Sequence, residues 1–335
     1  MIKKFSCIMF LSSFLAYPLW GQENSKLDLD STFVAPSVVG LPRSKGIIIK
    51  REVVSDFRIR SKSDQPFGSS SAEVRRNRRW DLRLRVPVVL KESIKVVAGF
   101  QYFVEEFNFE DTSTDYPFYQ NLEDRSLRSI RGEIFMIKPT RKSRYYLLRI
   151  SGSLNGDYDE SGFNNGDFFR FSITPLIGWK KNELTSYAFG AALSYNFGRR
   201  AIFPVFTYNH AFNSQWGVEA ILPANAKLRY GTLDQKNYFF LKTELRGTNY
   251  SVRLEETQTS LFYLDKSEIR FLLTWEREIH DWLWFGIEGG LRSNINFDLS
   301  DSPRINSNVL VDNNLGPAFV YNFSIFIVPP RKFLK

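Results

Sequence analysis

Apolar and polar residues change places one by one along this chain, in segment after segment of about ten residues. A chain with that period is extended, with one face oily and the other wet. Between positions 185 and 197, Tyr187, Phe189, Ala191, Leu193, Tyr195 and Phe197 fall on one side. Ser186, Ala188, Gly190, Ala192, Ser194 and Asn196 fall on the other. Trp80, Leu82, Leu84, Val86, Val88 and Leu90 oppose Asp81, Arg83 and Arg85. Phe169, Phe171, Ile173, Ile177 and Trp179 oppose Arg170, Ser172 and Thr174. Ile269, Phe271, Leu273 and Trp275 oppose Arg270, Thr274 and Glu276. Leu283, Phe285, Ile287 and Leu291 oppose Glu288 and then Arg292, and residues 94–104 and 130–136 behave alike.

Two architectures use such strands. A soluble sandwich buries the oily faces between two sheets; a membrane barrel turns them to lipid and encloses the polar faces. The segments run about 9–13 residues, beyond the usual globular length and matched to a tilted bilayer crossing. Aromatic residues are 16% of the chain, and Trp80, Tyr102, Trp179, Tyr187, Phe197 and Trp282 stand near segment ends, where interfacial girdles sit. No stretch offers the ~20 consecutive apolar residues of a helical span, residues 5–20 coming nearest, so a helical membrane bundle is excluded. With Lys3 and Lys4 ahead of that run and Gly21 before Gln22 after it, residues 1–21 read as a secretory signal peptide. Cys7, the single cysteine, would leave with it, so no internal disulfide is expected. These features favour an exported, all-β, transmembrane antiparallel barrel located in the cell outer membrane.

The connections support the barrel. Short ones at 91–93, 139–143, 181–184, 211–215, 247–249 and 279–281 interleave with long polar ones at 60–79, 108–123, 157–167, 257–266 and 293–315. Periplasmic turns and outer loops of bacterial barrels alternate in this way. Taking a first strand at 47–59 and 216–231 as one crossing gives about 14 strands, an even number; a turn at 222–225 would change the count, leaving 12 or 16 open. The expected organisation is therefore a signal peptide (1–21), a periplasmic segment (22–46), the barrel (47–328) and a short tail (329–335).

The run Pro175-Leu-Ile-Gly-Trp-Lys-Lys, the strand ending Tyr195-Asn-Phe-Gly, Phe203-Pro-Val-Phe-Thr-Tyr and Ala220-Ile-Leu-Pro-Ala-Asn-Ala-Lys-Leu-Arg-Tyr carry a resemblance. In them the chain resembles an uncharacterised family of predicted bacterial outer-membrane β-barrels, which implies a fold and a location but no activity. Phe319, Tyr321, Phe323, Ile325 and Ile327 also resemble the C-terminal strand signal read by barrel-assembly machinery, although seven residues, 329–335, follow it.

Chemistry is sparse. The formal charge of +9 is spread along the chain rather than blocked, so no nucleic-acid partner is expected. Of the two histidines, His210 precedes Ser214 by four residues, and a rim enzyme acting on lipid would need the ring as base for the hydroxyl; no acid is placed to orient it. His280 lies in a turn. Asp157-Tyr-Asp159-Glu160 lacks the flanking helices and the terminal Glu of a calcium loop, and neither a metal site nor a cofactor motif is expected. What remains is the polar side of the strands: Arg83, Arg85, Lys95, Arg131, Glu133, Arg149, Arg170, Lys242, Glu244, Arg246, Glu268, Arg270, Glu288 and Arg292. Facing lipid, each would cost ~2–4 kcal/mol at mid-depth, so they are expected to line the lumen.

The first functional expectation is a passive channel for small solutes. A transporter of hydrophobic compounds is the alternative, because Pro223 removes a ladder hydrogen bond and would bend the wall; the lipid-directed enzyme is the third. The partners expected are outer-membrane lipid, the assembly machinery and small solutes. With few residues ahead of the barrel, no energised plug domain is expected.

Overall fold

The computed structural model describes residues 36–63, 67–110, 116–140, 143–158, 166–195, 198–254, 261–304 and 306–333. Residues 1–35, which hold the expected signal peptide and most of the expected periplasmic segment, lie outside them, as do Phe197 and the last two residues. The alternating segments become β1 (Ile47–Val54), β2 (Phe57–Lys62), β3 (Ser70–Lys91), β4 (Ile94–Phe109), β5 (Leu127–Pro139), β6 (Arg144–Gly156), β7 (Phe169–Lys180) and β8 (Thr185–Ser194). They continue as β9 (Ala201–Ala211), β10 (Trp216–Leu222), β11 (Asn225–Gly231), β12 (Asn237–Arg253), β13 (Leu261–His280), β14 (Leu283–Ser300), β15 (Val309–Leu315) and β16 (Ala318–Ile327). One short helix, α1 (Pro117–Asp124), lies between β4 and β5.

Successive strands pair antiparallel, and the first meets the last: β1 pairs with β16 and β2 with β15. β1 and β2 are halves of one interrupted strand, as are β15 and β16, so the wall closes as a 14-stranded barrel. The oily faces point out. Trp80, Leu84, Phe100, Phe189, Phe206, Leu241, Phe271, Leu291, Phe319 and Phe323 are all exposed, while polar partners such as Asp81, Ser186, Arg270 and Glu288 are buried. A sandwich would show the reverse. This apolar outer belt makes the barrel a membrane-spanning one. No helix among the described residues is long and apolar enough to cross a membrane.

The count of 14 stands, but two of the connections expected from sequence do not. Residues 216–231 are not one crossing. The chain reverses at Pro223–Ala224, pairing Ile221 with Asn225, because proline has no N–H to continue the ladder. Residues 247–249 are no turn either: β12 runs unbroken through Gly247, paired with β13 along its whole length. One strand is gained and one lost. The long connections are also shorter than expected, since β2, β3, β14 and β15 extend into them as strands.

The interior is filled at both mouths. On the outer side α1 lowers Phe118, Tyr119 and Leu122 onto inward residues of β2, β4, β12, β14 and β15, including Ile59, Phe107, Tyr250, Phe297 and Val311. At the opposite mouth residues 38–46 cross the barrel. Val39 N donates to Glu183 O at 3.1 Å, Arg43 Nη1 to Asp281 O at 2.5 Å, and Gly46 N to Ile327 O at 2.8 Å. Arg43 also pairs with Glu278 at 3.1 Å, beside Arg331 on the same carboxylate at 2.6 Å.

Two outcomes follow. Phe271→Arg, on the lipid face of β13, lowers barrel stability by ~2–4 kcal/mol, read from urea unfolding in lipid vesicles. The second concerns Asp157, whose Oδ2 accepts from Asn121 Nδ2 of α1 at 3.1 Å and from Arg253 N at 3.0 Å. Burial pushes its carboxyl above the ordinary range, against those two donors. A carboxyl raised by folding stabilises fully at low pH, and that contribution is lost as pH rises through the raised value. Hydrogen-exchange protection of α1 therefore falls as pH is raised from about 4 to neutrality, and Asp157→Asn abolishes the dependence.

Candidate functional site: a side chamber lined by arginines

β10 and β11 have seven residues each. That is about 24 Å of strand and, at the usual tilt, ~18 Å of depth, short of the ~25 Å apolar band. Their neighbours outrun them. β9 pairs with β10 only from Phe206, and β12 with β11 only up to Glu244. Above the hairpin tip the wall therefore has a notch, flanked by residues 201–205 and 245–253.

The upper part of β12 leaves the wall. Asn249, Tyr250, Ser251 and Val252 are buried in succession, as are Asp265, Lys266, Ser267 and Glu268 on β13. Successive strand residues point to opposite faces, so this hairpin is covered on both. Tyr250, Val252 and Leu264 enter the outer apolar core. The other face meets β6 and β7. Ser251 lies opposite Gly156, and Arg170 donates from Nε to Asn249 Oδ1 and from Nη2 to Ser251 Oγ, both at 2.8 Å. Arg199, in the β8–β9 connection, closes the roof by donating to Asp265 Oδ2 at 2.6 Å. Gly198 (φ +84°) brings that connection within 3.1 Å of the Asp265 carbonyl carbon, measured from where a Cβ would stand.

The infolded hairpin divides the lumen. On its β1–β4 side lies a dense ion network, where Arg79 meets Glu52, Glu105 and Glu268 at 2.9–3.0 Å. Arg270 meets Glu52 at 2.8 Å, and Lys266 pairs with Glu105. On its β6–β9 side lies a chamber of about 420 Å³, joined through Arg85, Arg131, Arg149, Gly247 and Thr248 to a smaller space of about 230 Å³. Ser151, Ser153, Ser172 and Thr174 form its wall, Leu147, Leu176, Phe203 and Val205 its apolar side, and residues 221–225 of the hairpin tip its rim. The chamber thus reaches the wall at the notch.

Its charge is one-sided. Four guanidiniums line it, Arg85, Arg131, Arg149 and Arg170, with no carboxylate among the lining residues. Glu133, just beyond, accepts from Arg149 at 2.7 Å and lies 3.5 Å from Arg85 Nε. Glu133 reaches Arg85 by lying across Gly99, where a Cβ would stand 2.5 Å from its Cγ. Arg85 and Arg149 both flank the Phe135 ring, at 5.6 and 5.2 Å.

Of the other residues expected to line a lumen, Arg83 is held by Asp81 at 2.5 Å, and Lys242, Glu244, Arg246 and Glu288 pair among themselves. Glu268 and Arg270 belong to the ion network. Arg292 is buried above the Phe57 ring at 4.3 Å. Lys95 lines neither space. The ion-paired Lys50, Glu52, Arg79, Asp81, Glu105 and Lys266 are not among the residues expected to line the lumen; Arg79 and Lys266 fall in stretches expected as loops, which hides their phase. His210 points outward, its Nδ1 2.9 Å from Thr185 Oγ1 and its ring against Tyr208 and Phe212. The candidate calcium loop lies mostly outside the described residues, and its Asp157 is used to hold α1. Among the described residues no group of three acidic, His or Cys side chains could hold a metal.

Residues 118–323 match the family described as Domain of unknown function (DUF6268). Among solved structures the chain is similar to the Pseudomonas putida toluene transporter TodX, at 10% identity over 87% of this chain and 91% of that one, TM-score 0.37. It is similar to a Pseudomonas aeruginosa FadL homologue at 8% identity over 89% and 100%, TM-score 0.36. A mutant of Rh. blastica porin gives 7% identity over 84% and 99%, TM-score 0.27. Comparison with curated proteins finds no match.

Arg170→Met strands its neutral partners Asn249 and Ser251, so it loosens the roof and destabilises the barrel by about 1–3 kcal/mol. Hydrogen exchange localises the loss to the upper halves of β12 and β13.

Proposed function

Because the chain belongs to that family of unknown function, whose description carries no activity, we propose from its geometry that it passes small solutes across the outer membrane by way of the side chamber, entered at the notch. The observation that carries this reading is a coincidence of place. The hairpin whose strands are too short for the apolar band ends at the chamber's rim, and Leu222 and Ile221 at that rim are exposed. In hydrocarbon, irregular backbone is tolerated only where it lines protein or a wet cavity, and here it lines the chamber.

A straight passive pore fits less well, since α1 and its apolar core fill the outer mouth on the β2–β4 side and residues 38–46 cross the other. The lipid-directed enzyme fits less well, since His210 Nδ1 meets the Thr185 hydroxyl rather than an acid that would orient and charge the ring.

Flux into proteoliposomes tests the reading, with phenyl glucoside and benzenesulfonate as solutes that cross bare bilayers slowly. Both enter with the wild-type protein. Ala224→Trp, which fills the rim while keeping the backbone bond from Leu245 N to Ala224 O, slows entry about tenfold, an added barrier of ~1.4 kcal/mol. Equal entry with both proteins overturns the proposal.

A further inference from the structure

We infer that the chamber holds an organic anion, a carboxylate on a small apolar body, with the carboxylate on Arg131 and the body against Phe135, Leu147 and Phe203. The inference deepens the reading of the chamber as the transport site by naming the class of molecule it takes.

Arg131 is the anchor. Among the described residues it makes no hydrogen bond or ion pair, unlike Arg149, which Glu133 engages through both Nε and Nη2 at 3.2 and 2.7 Å. It lies two residues before Glu133 on the same face of β5, opposite Ser153 of β6. Glu133 thus engages Arg85 and Arg149 and leaves the third guanidinium, that of Arg131, without a carboxylate. Arg85 Nε is buried and has no hydrogen-bond partner. A guanidinium carries five donors in a planar fork that fits a carboxylate through two parallel bonds. A second carboxylate placed at Arg131 would satisfy those open donors and offset the excess charge.

The opposite side sets the rest of the molecule. Phe135 is already faced by Arg85 and Arg149, and Leu147 and Phe203 pack on the apolar cluster of Tyr145, Leu176, Ala192 and Val205. The ligand is therefore amphipathic, with a charged end inward and an apolar end toward that cluster. A space of about 420 Å³ lies within the range of small-molecule sites.

Equilibrium binding to the detergent-solubilised full-length barrel, by calorimetry, tests this without requiring transport. Benzoate is the probe, benzamide its neutral isostere, and inorganic phosphate an oxyanion with no apolar body. The expected result is that benzoate binds at least about tenfold more tightly than either. Arg131→Gln then weakens benzoate about 10–100-fold, the usual worth of a charged hydrogen bond, and leaves benzamide unchanged. Arg131→Lys, keeping the charge without the fork, falls between, and serves alone if the Gln variant does not fold. Absent benzoate binding, phosphate binding as tightly, or benzoate affinity indifferent to both variants overturns the assignment. Benzoate binding without flux sinks the transport reading alone; flux with no anion preference sinks this one alone.

Discussion

A sheet inside hydrocarbon has no water to satisfy its edges, and each unpaired N–H or C=O costs several kcal/mol. Closure of first strand on last meets that demand around most of this barrel. It fails at one place, where the β10–β11 hairpin stops short and leaves part of β9 and β12 without a neighbour. β12 escapes by folding inward, where Arg170, the β8–β9 connection and the outer core cover it. The chamber is what that escape leaves behind: a space between an infolded hairpin and a wall that continues without it.

The two compartments differ in their electrostatics because they differ in packing. In the dense half the carboxylates Glu52, Glu105 and Glu268 interlock with Arg79, Lys266 and Arg270, and each charge is desolvated but neutralised. Removing one member there would leave an uncompensated buried charge, a costly fault. In the chamber, space and hydroxyl groups replace carboxylates, so guanidiniums stand in excess. Positive charge in a low-dielectric recess raises the local concentration of anions. Structure and selectivity thus come from one device, the inward displacement of β12.

Much of the fold was legible because lipid imposes a strict phase. Outward positions in the belt, from Trp80 to Ile325, are overwhelmingly apolar, and a period of two survives any error in where a strand ends. Boundaries were less legible. Gly247 and Asn249 looked like a turn, yet Gly247 lies inside a strand that bends inward, a course set by contacts with β6 and β7 that no local pattern encodes. Pro223 did signal the broken ladder, but a bent strand and a hairpin share that signal, and the two misreadings cancelled in the strand count. The arginines of the chamber were found by phase alone. Their grouping around Glu133 was not, because it depends on which strands become neighbours and on Gly99 giving Glu133 its path. The plug helix was hidden for another reason, since its apolar residues sit in a polar loop too short for a periodic signal.

Site-directed spin labelling bears most directly on the central claim, that the outer face meets lipid while a wet chamber lies behind the β8–β11 sector. Cys7 is the single cysteine, so in a Cys7→Ser background labels can be placed one at a time along 185–194 and 221–225. In lipid vesicles, oxygen accessibility should alternate along β8, high at Tyr187, Phe189 and Ala191 and low at their neighbours. The hairpin tip should admit both oxygen and a water-soluble relaxant. Uniform accessibility along β8, or a tip reached by oxygen alone, would contradict the account.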